Sequence, residues 1–281
     1  MALPSEAPLD DVQRNLIRSL GTSVFALGQI QREQGNRACV ANYEDAVLFM
    51  QRIGDAAAEA IAHYNIGQAY MQLPEVRDLN AAEAACQRSL DLFDEHDAQG
   101  RSLCIKQIGM VHHERFKEAR AALSAAAAST GPSGTTSQDA QVTAAEVLRH
   151  AQAAESHYLQ ALALCPATAI TELGPFHGQL GNLYQQVGQT EQAREHYEKA
   201  AQCFEQSGNR HSAGATRFNM DVMYLQSASQ DSTPSDRVLL LRRARTYAEA
   251  ALRDFQHYEG RAAADEAKTQ QLIAHIDQQL Q

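Results

Sequence analysis

The sequence predicts an all-α chain of tandem helix hairpins, on three observations. Ala, Gln, Glu, Leu and Arg dominate, Trp is absent and aromatic residues make up 6% of the chain, which suits helices that approach closely through small side chains. A six-residue pattern of amide, aliphatic, small residue, two spacers and a ring occurs four times. Each copy is followed by a second helical pattern whose residues step by four, three and four. At 281 residues the chain is long for one globular core, and a repeating array fits that length.

The first pattern reads Asn65-Ile66-Gly67-Gln68-Ala69-Tyr70, Gln107-Ile108-Gly109-Met110-Val111-His112, Gln179-Leu180-Gly181-Asn182-Leu183-Tyr184 and Asn219-Met220-Asp221-Val222-Met223-Tyr224. Gly54-Asp55 and Gly208-Asn209 precede two of the copies, a glycine able to end one helix and a side-chain oxygen able to cap the next. Each copy is then the first helix of a hairpin. The second helices carry Ala82, Cys86, Ser89 and Phe93; Ala154, Tyr158, Ala161 and Cys165; Ala193, Tyr197, Ala200 and Phe204; and Ala244, Ala248, Ala251 and Phe255. Each set lies on one helical face. Ala26-Leu27-Gly28, Gly35, Tyr43, Ala46 and Met50 form a degenerate first hairpin with one residue deleted between Gly35 and Tyr43. Residues 261–281 add an eleventh helix, apolar at Leu272, Ile273 and Ile276 and otherwise rich in Gln, as the closing element of a stack requires.

Two hairpins are enlarged. Ala154 follows His112 by 42 positions, whereas Ala193 follows Tyr184 by nine, so some 33 extra residues lengthen both helices of that hairpin and leave a loop between them. Residues 124–142 are rich in Ala, Ser, Thr and Gly with Asp139 the only charge, and are expected to be a flexible low-complexity insertion. A docking element that folds on a partner is the other reading. A shorter insertion spans Ser227 to Ser235 with Pro234 near its end, and Pro74 breaks the turn after Tyr70. Residues 1–9 are expected to be a flexible N-terminus, apolar at Leu3 and Leu9 and able to occupy a groove of its own chain.

These residues resemble the tetratricopeptide repeat family, whose first helix carries a Leu-Gly pair and a Tyr and whose second carries Ala, an aromatic and Ala. Leu180, Gly181, Tyr184, Ala193, Tyr197 and Ala200 fit that pattern best. The spacing is 42 from Gly67 to Gly109 and 40 from Gly181 to Asp221, longer than the usual repeat of about 34 and similar to the long repeats of kinesin light chains and Pins-type adaptors. The resemblance covers nearly the whole chain. It implies a right-handed superhelical solenoid of about five hairpins plus a C-terminal capping helix, a single array over residues 1–281 that binds a protein or peptide partner on its concave side.

First helices line that concave side, which makes Asn65, Gln107, Gln179 and Asn219 candidate groove residues: a ladder of side-chain amides can donate to and accept from an extended peptide backbone. Satisfying neighbouring helix ends or loops is an equal alternative for these four. By the family's pattern Tyr64, Gln68, Met110, Asn182, Phe218 and Val222 join them in the groove, beside Met71, His113, Gln185 and Leu225. Family members that clamp a terminal carboxylate carry Asn after the small position, with Lys or Arg nearby. Here that position holds Gln68, Met110, Asn182 and Val222, so such a clamp is not expected.

The net charge of −10 argues against nucleic-acid binding, which needs a basic face. No run of eighteen apolar residues exists to insert in a membrane, and Met1 to Asp11 carries two prolines and three acids in place of a signal peptide, so a cytoplasmic location is expected. Cys39, Cys86, Cys104, Cys165 and Cys203 form no C-x-x-C pair and sit in apolar helical patterns, as buried free thiols do. The run His112-His113-Glu114 raises metal chemistry, but adjacent helical residues point about 100° apart and H-E-x-x-H is absent, so a packing role is expected for His112. His150, His157, His177, His196 and His211 are expected to face solvent. No phosphate loop, dinucleotide fingerprint or nucleophile elbow occurs, and neither a cofactor nor catalysis is expected. The expected function is a protein-interaction scaffold or adaptor, with a sensor or regulatory arm of a larger signalling assembly as the alternative, a helical metal-dependent enzyme as a remoter one, and self-association through a terminal repeat open.

Overall fold

The computed structural model describes residues 8–129, 137–230, 233–258 and 260–281. Among them the chain is all-helical, with α1 Asp11–Glu33, α2 Cys39–Ile53, α3 Ala56–Gln72, α4 Leu79–Leu92, α5 Ala98–Ser129, α6 Ser137–Leu164, α7 Ile170–Gln186, α8 Thr190–Gln206, α9 Arg210–Ser229, α10 Pro234–Gln256 and α11 Ala263–Gln279. No helix of the described residues is long and apolar enough to cross a membrane.

Short polar signals set the boundaries. The Asp10 carboxylate accepts from the Gln13 backbone N–H at 2.7 Å while the Gln13 side chain accepts from the Asp10 N–H, a closed capping box at the start of α1. Gly54, at φ 70°, ends α2, and Asp55 caps α3 by accepting from the Ala58 N–H. Gly208, at φ 75°, follows α8 in the same way, and Asn209 caps α9. Only glycine holds that left-handed conformation without a β-carbon clash. Thr233 caps α10 with Pro234 in its first turn, where the missing N–H costs nothing.

The helices pair in sequence as α1–α2, α3–α4, α5–α6, α7–α8 and α9–α10, with α11 packed on α10. The array expected over 1–281 falls into two compact units, Met1–Leu164 and Cys165–Gln281. In the first, α2 packs on α3 and α4 on α5; in the second, α8 packs on α9. Cys39, Val40, Tyr43 and Val47 of α2 thus form one core with Ala62, Ile66 and Ala69 of α3. Residues 124–142, expected as a flexible loop, are helical at both ends, since α5 runs for 32 residues to Ser129 and α6 for 28 from Ser137. Their centre, 130–136, lies outside the described residues, as do residues 1–7 of the expected flexible N-terminus. Of the shorter insertion, residues 227–229 end α9 and residues 234–235 begin α10, and 231–232 lie outside the described residues.

Hairpins close through a small residue under a bulky one. A β-carbon on Gly28 would lie 2.8 Å from the Tyr43 ring, one on Gly67 2.5 Å from Cys86 Sγ, and one on Gly109 2.8 Å from the Tyr158 ring. The same relationship recurs seven residues earlier, with Gly21 under Met50, Gly174 under Phe204 and Gly214 under Phe255. Seven residues are close to two helical turns, so both small positions share one face. In α9 the second position is Asp221, fully buried, and the aligned residue of α10 is Ala248 in place of a ring.

Candidate functional site: the first-helix amides

The four amides of the recurring pattern sit in different surroundings. Asn65 is buried and its Nδ2 donates to the Ile61 carbonyl of its own helix at 2.8 Å. Gln107 is also buried, its Nε2 directed at Met71 Sδ at 3.4 Å across α3 and α5. Beside them Tyr64 and Gln68 are half-buried, and Gln68 Oε1 accepts from Arg32 of α1. Burial pushes the Tyr64 hydroxyl up to about 12. Met110 is half-buried against the Met71, Ala82 and Val111 cluster.

In the second unit the amides join. Gln179 and Asn219 are half-buried, and Asn219 Nδ2 donates to Asn182 Oδ1 at 3.3 Å. The Tyr197 hydroxyl of α8 lies 2.7 Å from Asn182 Oδ1 and 2.6 Å from Gln185 Oε1. With a single hydrogen it donates to one of the two at a time. Gln185 Nε2 in turn donates to Gln226 Oε1 at 3.2 Å. A connected chain of four amides and one phenol therefore bridges α7, α8 and α9. Phe218 packs against Ala251, Phe255 and Ala262, and Val222 is half-buried on the same helix. Asn182, the one Asn at the position that clamps carboxylates in the family, is engaged by Tyr197 and Asn219. Gln226 was not found by sequence reading; it follows Asn219 by seven residues, as Gln186 follows Gln179.

A hollow of about 750 Å³ lies elsewhere, between α2 and α4 over α3, lined by Val47, Leu48, Ile66, Tyr70 and Arg88 among others. His63 borders it, buried, with Nε2 3.7 Å from Glu59 and Nδ1 without a hydrogen-bond partner. Burial lowers its pKa against the opposing pull of Glu59.

The histidines correct the expectation of solvent-facing rings. His150 is buried and His157, His177 and His196 half-buried, whereas His211 is exposed. Their flat rings pack across hairpins: His112 stacks on His157 at 5.3 Å with Nδ1 3.3 Å from His150 Nδ1, and His177 Nδ1 lies 3.0 Å from His196 Nδ1. His113 turns instead to the Tyr158 hydroxyl. Burial is the main cause lowering His112 and His177 to about 4. Among the described residues no group of three His, Cys, Asp or Glu side chains is arranged to hold a metal ion. All five cysteines are free, four of them buried and Cys203 half-buried, and burial raises Cys104 to about 11.

Residues 175–207, most of α7 and all of α8, match the family model described as tetratricopeptide repeat. No curated protein matches the chain. A solved structure titled "Crystal Structure of Rap Protein Complexed with Competence and Sporulation Factor" is similar at 13% identity and a TM-score of 0.36, over 98% of this chain and 78% of that one.

Proposed function

We propose that this chain is a non-catalytic binding module that captures an extended segment of a protein partner on the first-helix face of its second unit. The observation that supports this is the amide chain of Asn182, Asn219, Gln185 and Gln226, which spans two successive first helices and is half-buried or exposed along its length. Each side-chain amide has two donor hydrogens and a two-lone-pair acceptor, so one internal bond leaves capacity for a peptide backbone. Phe218 and Val222, on the same helix as Asn219, supply apolar contact, so backbone capture is combined with a preference for an apolar side chain.

The test is selection of short peptides from a displayed library on the full chain, followed by affinity measurement with the wild type and with Asn182→Ala/Asn219→Ala, whose helical content is checked by circular dichroism. Loss of about tenfold or more in affinity supports the reading. Selected peptides that bind both proteins equally, or that cross-link to the hollow between α2 and α4, overturn it.

A further inference from the structure

The first helix of the first unit carries an apolar strip that is open to solvent. Val12, Leu16, Leu20, Leu27 and Ile30 are 77, 70, 48, 46 and 53% exposed. With Ser23 they step by four, four, three, four and three along α1, a single line about 27 Å long. Aligned on the small residue of each first helix, Ser23, Leu27 and Ile30 correspond to Ala62, Ile66 and Ala69 of α3, to Cys104, Ile108 and Val111 of α5, and to Thr216, Met220 and Met223 of α9. All nine of those residues are buried. In α3 the three pack on the preceding helix, α2. The strip is thus the stacking face of a first helix that no preceding helix covers among the described residues.

We propose that a second copy of this chain covers it, with the two α1 helices antiparallel across a two-fold axis near Leu20 and Ser23. Charge favours this occupant. The strip is flanked by Gln13, Ile17 and Val24 on one side and by Asn15, Ser19 and Ala26 on the other, while Arg18 turns to Asp55 at 3.5 Å. Between Val12 and Ile30 a chain of net charge −10 therefore meets itself without facing like charges, and the exposed Asp10 and Glu33 oppose one another only at the two ends of the seam. Shape favours it too. Antiparallel pairing sets Val12 opposite Ile30, Leu16 opposite Leu27 and Leu20 opposite Ser23, so that large residues meet small ones at the centre.

The area is adequate. Each strip offers roughly 500 Å² of apolar surface, the size of the largest patch on a typical monomer, which is often a contact surface. Two strips with their flanks reach about the 1,200 Å² at which specific interfaces begin. The same face serves on both copies, so the contact is isologous. A closed pair follows instead of an open filament.

Sedimentation equilibrium of the full chain at tens of micromolar tests this, for the wild type and for Leu16→Glu/Leu27→Glu. The expected result is a two-copy mass for the wild type and a one-copy mass for the double variant with the same circular dichroism spectrum, an association weakened by about 100-fold or more. Orientation is read by mixing Leu20→Cys and Ser23→Cys chains under mild oxidation, where mixed disulfide dimers are expected to exceed those formed by either chain alone. A wild type that stays a single copy overturns the proposal, as does a dimer that persists in the double variant. Cross-linking favoured between identical positions overturns the antiparallel register.

Discussion

Gly181 lies directly beneath the ring of Tyr197: a β-carbon added at Gly181 would sit 2.5 Å from Tyr197 Cδ1 and 2.7 Å from Cε1. Tyr197 is fully buried and its hydroxyl is held by Asn182 and Gln185, so the ring cannot withdraw without breaking that network. Gly181→Ala is expected to destabilise the second unit by about 1–3 kcal/mol, the usual cost of overpacking. Gly178, three residues earlier in α7, has nothing within 4 Å of an added β-carbon. Gly178→Ala is expected to be neutral or to stabilise by up to about 1 kcal/mol through helix propensity. Urea denaturation followed by circular dichroism separates the two; equal effects would show that helix propensity, and not the ring contact, governs this face.

Asp221 occupies a small-residue position with both carboxylate oxygens buried and unpartnered, and burial raises its pKa from 3.8 to about 7. Unfolded, the group ionises near 3.8; folded, it keeps its proton to about 7. Its contribution to stability is therefore fully present below the lower value and lost as pH rises through the upper one, a change of about 2–4 kcal/mol. Asp221→Asn is expected to remove this falling component. Denaturation midpoints of wild type and variant at several pH values between 4 and 8 check it, and parallel profiles would contradict it.

His112 and His177 bring the opposite slope. Burial is the leading cause for both; Arg115, His157 and His150 add to it at His112 while Glu83 opposes, and His196 and Lys199 add to it at His177. An unfolded imidazole takes a proton near 6.5 but these folded ones only near 4, so between the two values the unfolded state binds more protons. Stability is expected to fall as pH drops through that window, by about 1–2 kcal/mol for each ring. His177→Gln should flatten the acid limb in the second unit, where the Asp221 effect runs the other way and masks part of it. Comparing His177→Gln, Asp221→Asn and the double variant by thermal melts resolves the two slopes.

Ser89, fully buried in α4, donates its hydroxyl to the Ala60 carbonyl of α3 at 2.7 Å and lies 3.1 Å from Cys104 Sγ of α5. One hydroxyl thus ties three helices. Ser89→Ala is expected to cost about 1–2 kcal/mol in a chemical denaturation, while Ser89→Cys keeps volume and a weak donor and should cost less.

The hairpin pattern was readable because it is written in local periodicity. The step of four, three and four through Ala193, Tyr197, Ala200 and Phe204 puts a face on α8 whatever it packs against, and the Gly54-Asp55 and Gly208-Asn209 pairs end and start helices by their own backbone and side-chain chemistry. The small position of each first helix was visible for the same reason. Its partner seven residues earlier is Gly21, Gly174 and Gly214 in three first helices but Ala60 in α3 and Ser102 in α5, so no constant residue marks it in the sequence.

What the sequence by itself determined, then, is the succession of helices, their caps and the face each presents, since these depend on neighbours within two turns of chain. Only the tertiary structure decided which equivalent residues are covered. Asn65 and Gln107 look like Gln179 and Asn219 in the pattern, yet the first two are enclosed and the last two half-open; Leu27 and Ile66 hold the same register, yet one is exposed and the other buried. Histidines nineteen and 38 positions apart, His177 with His196 and His112 with His150, meet across hairpins for the same reason. Burial is set by the element that happens to stack on a face, and that element lies tens of residues away along the chain, beyond the reach of any local period.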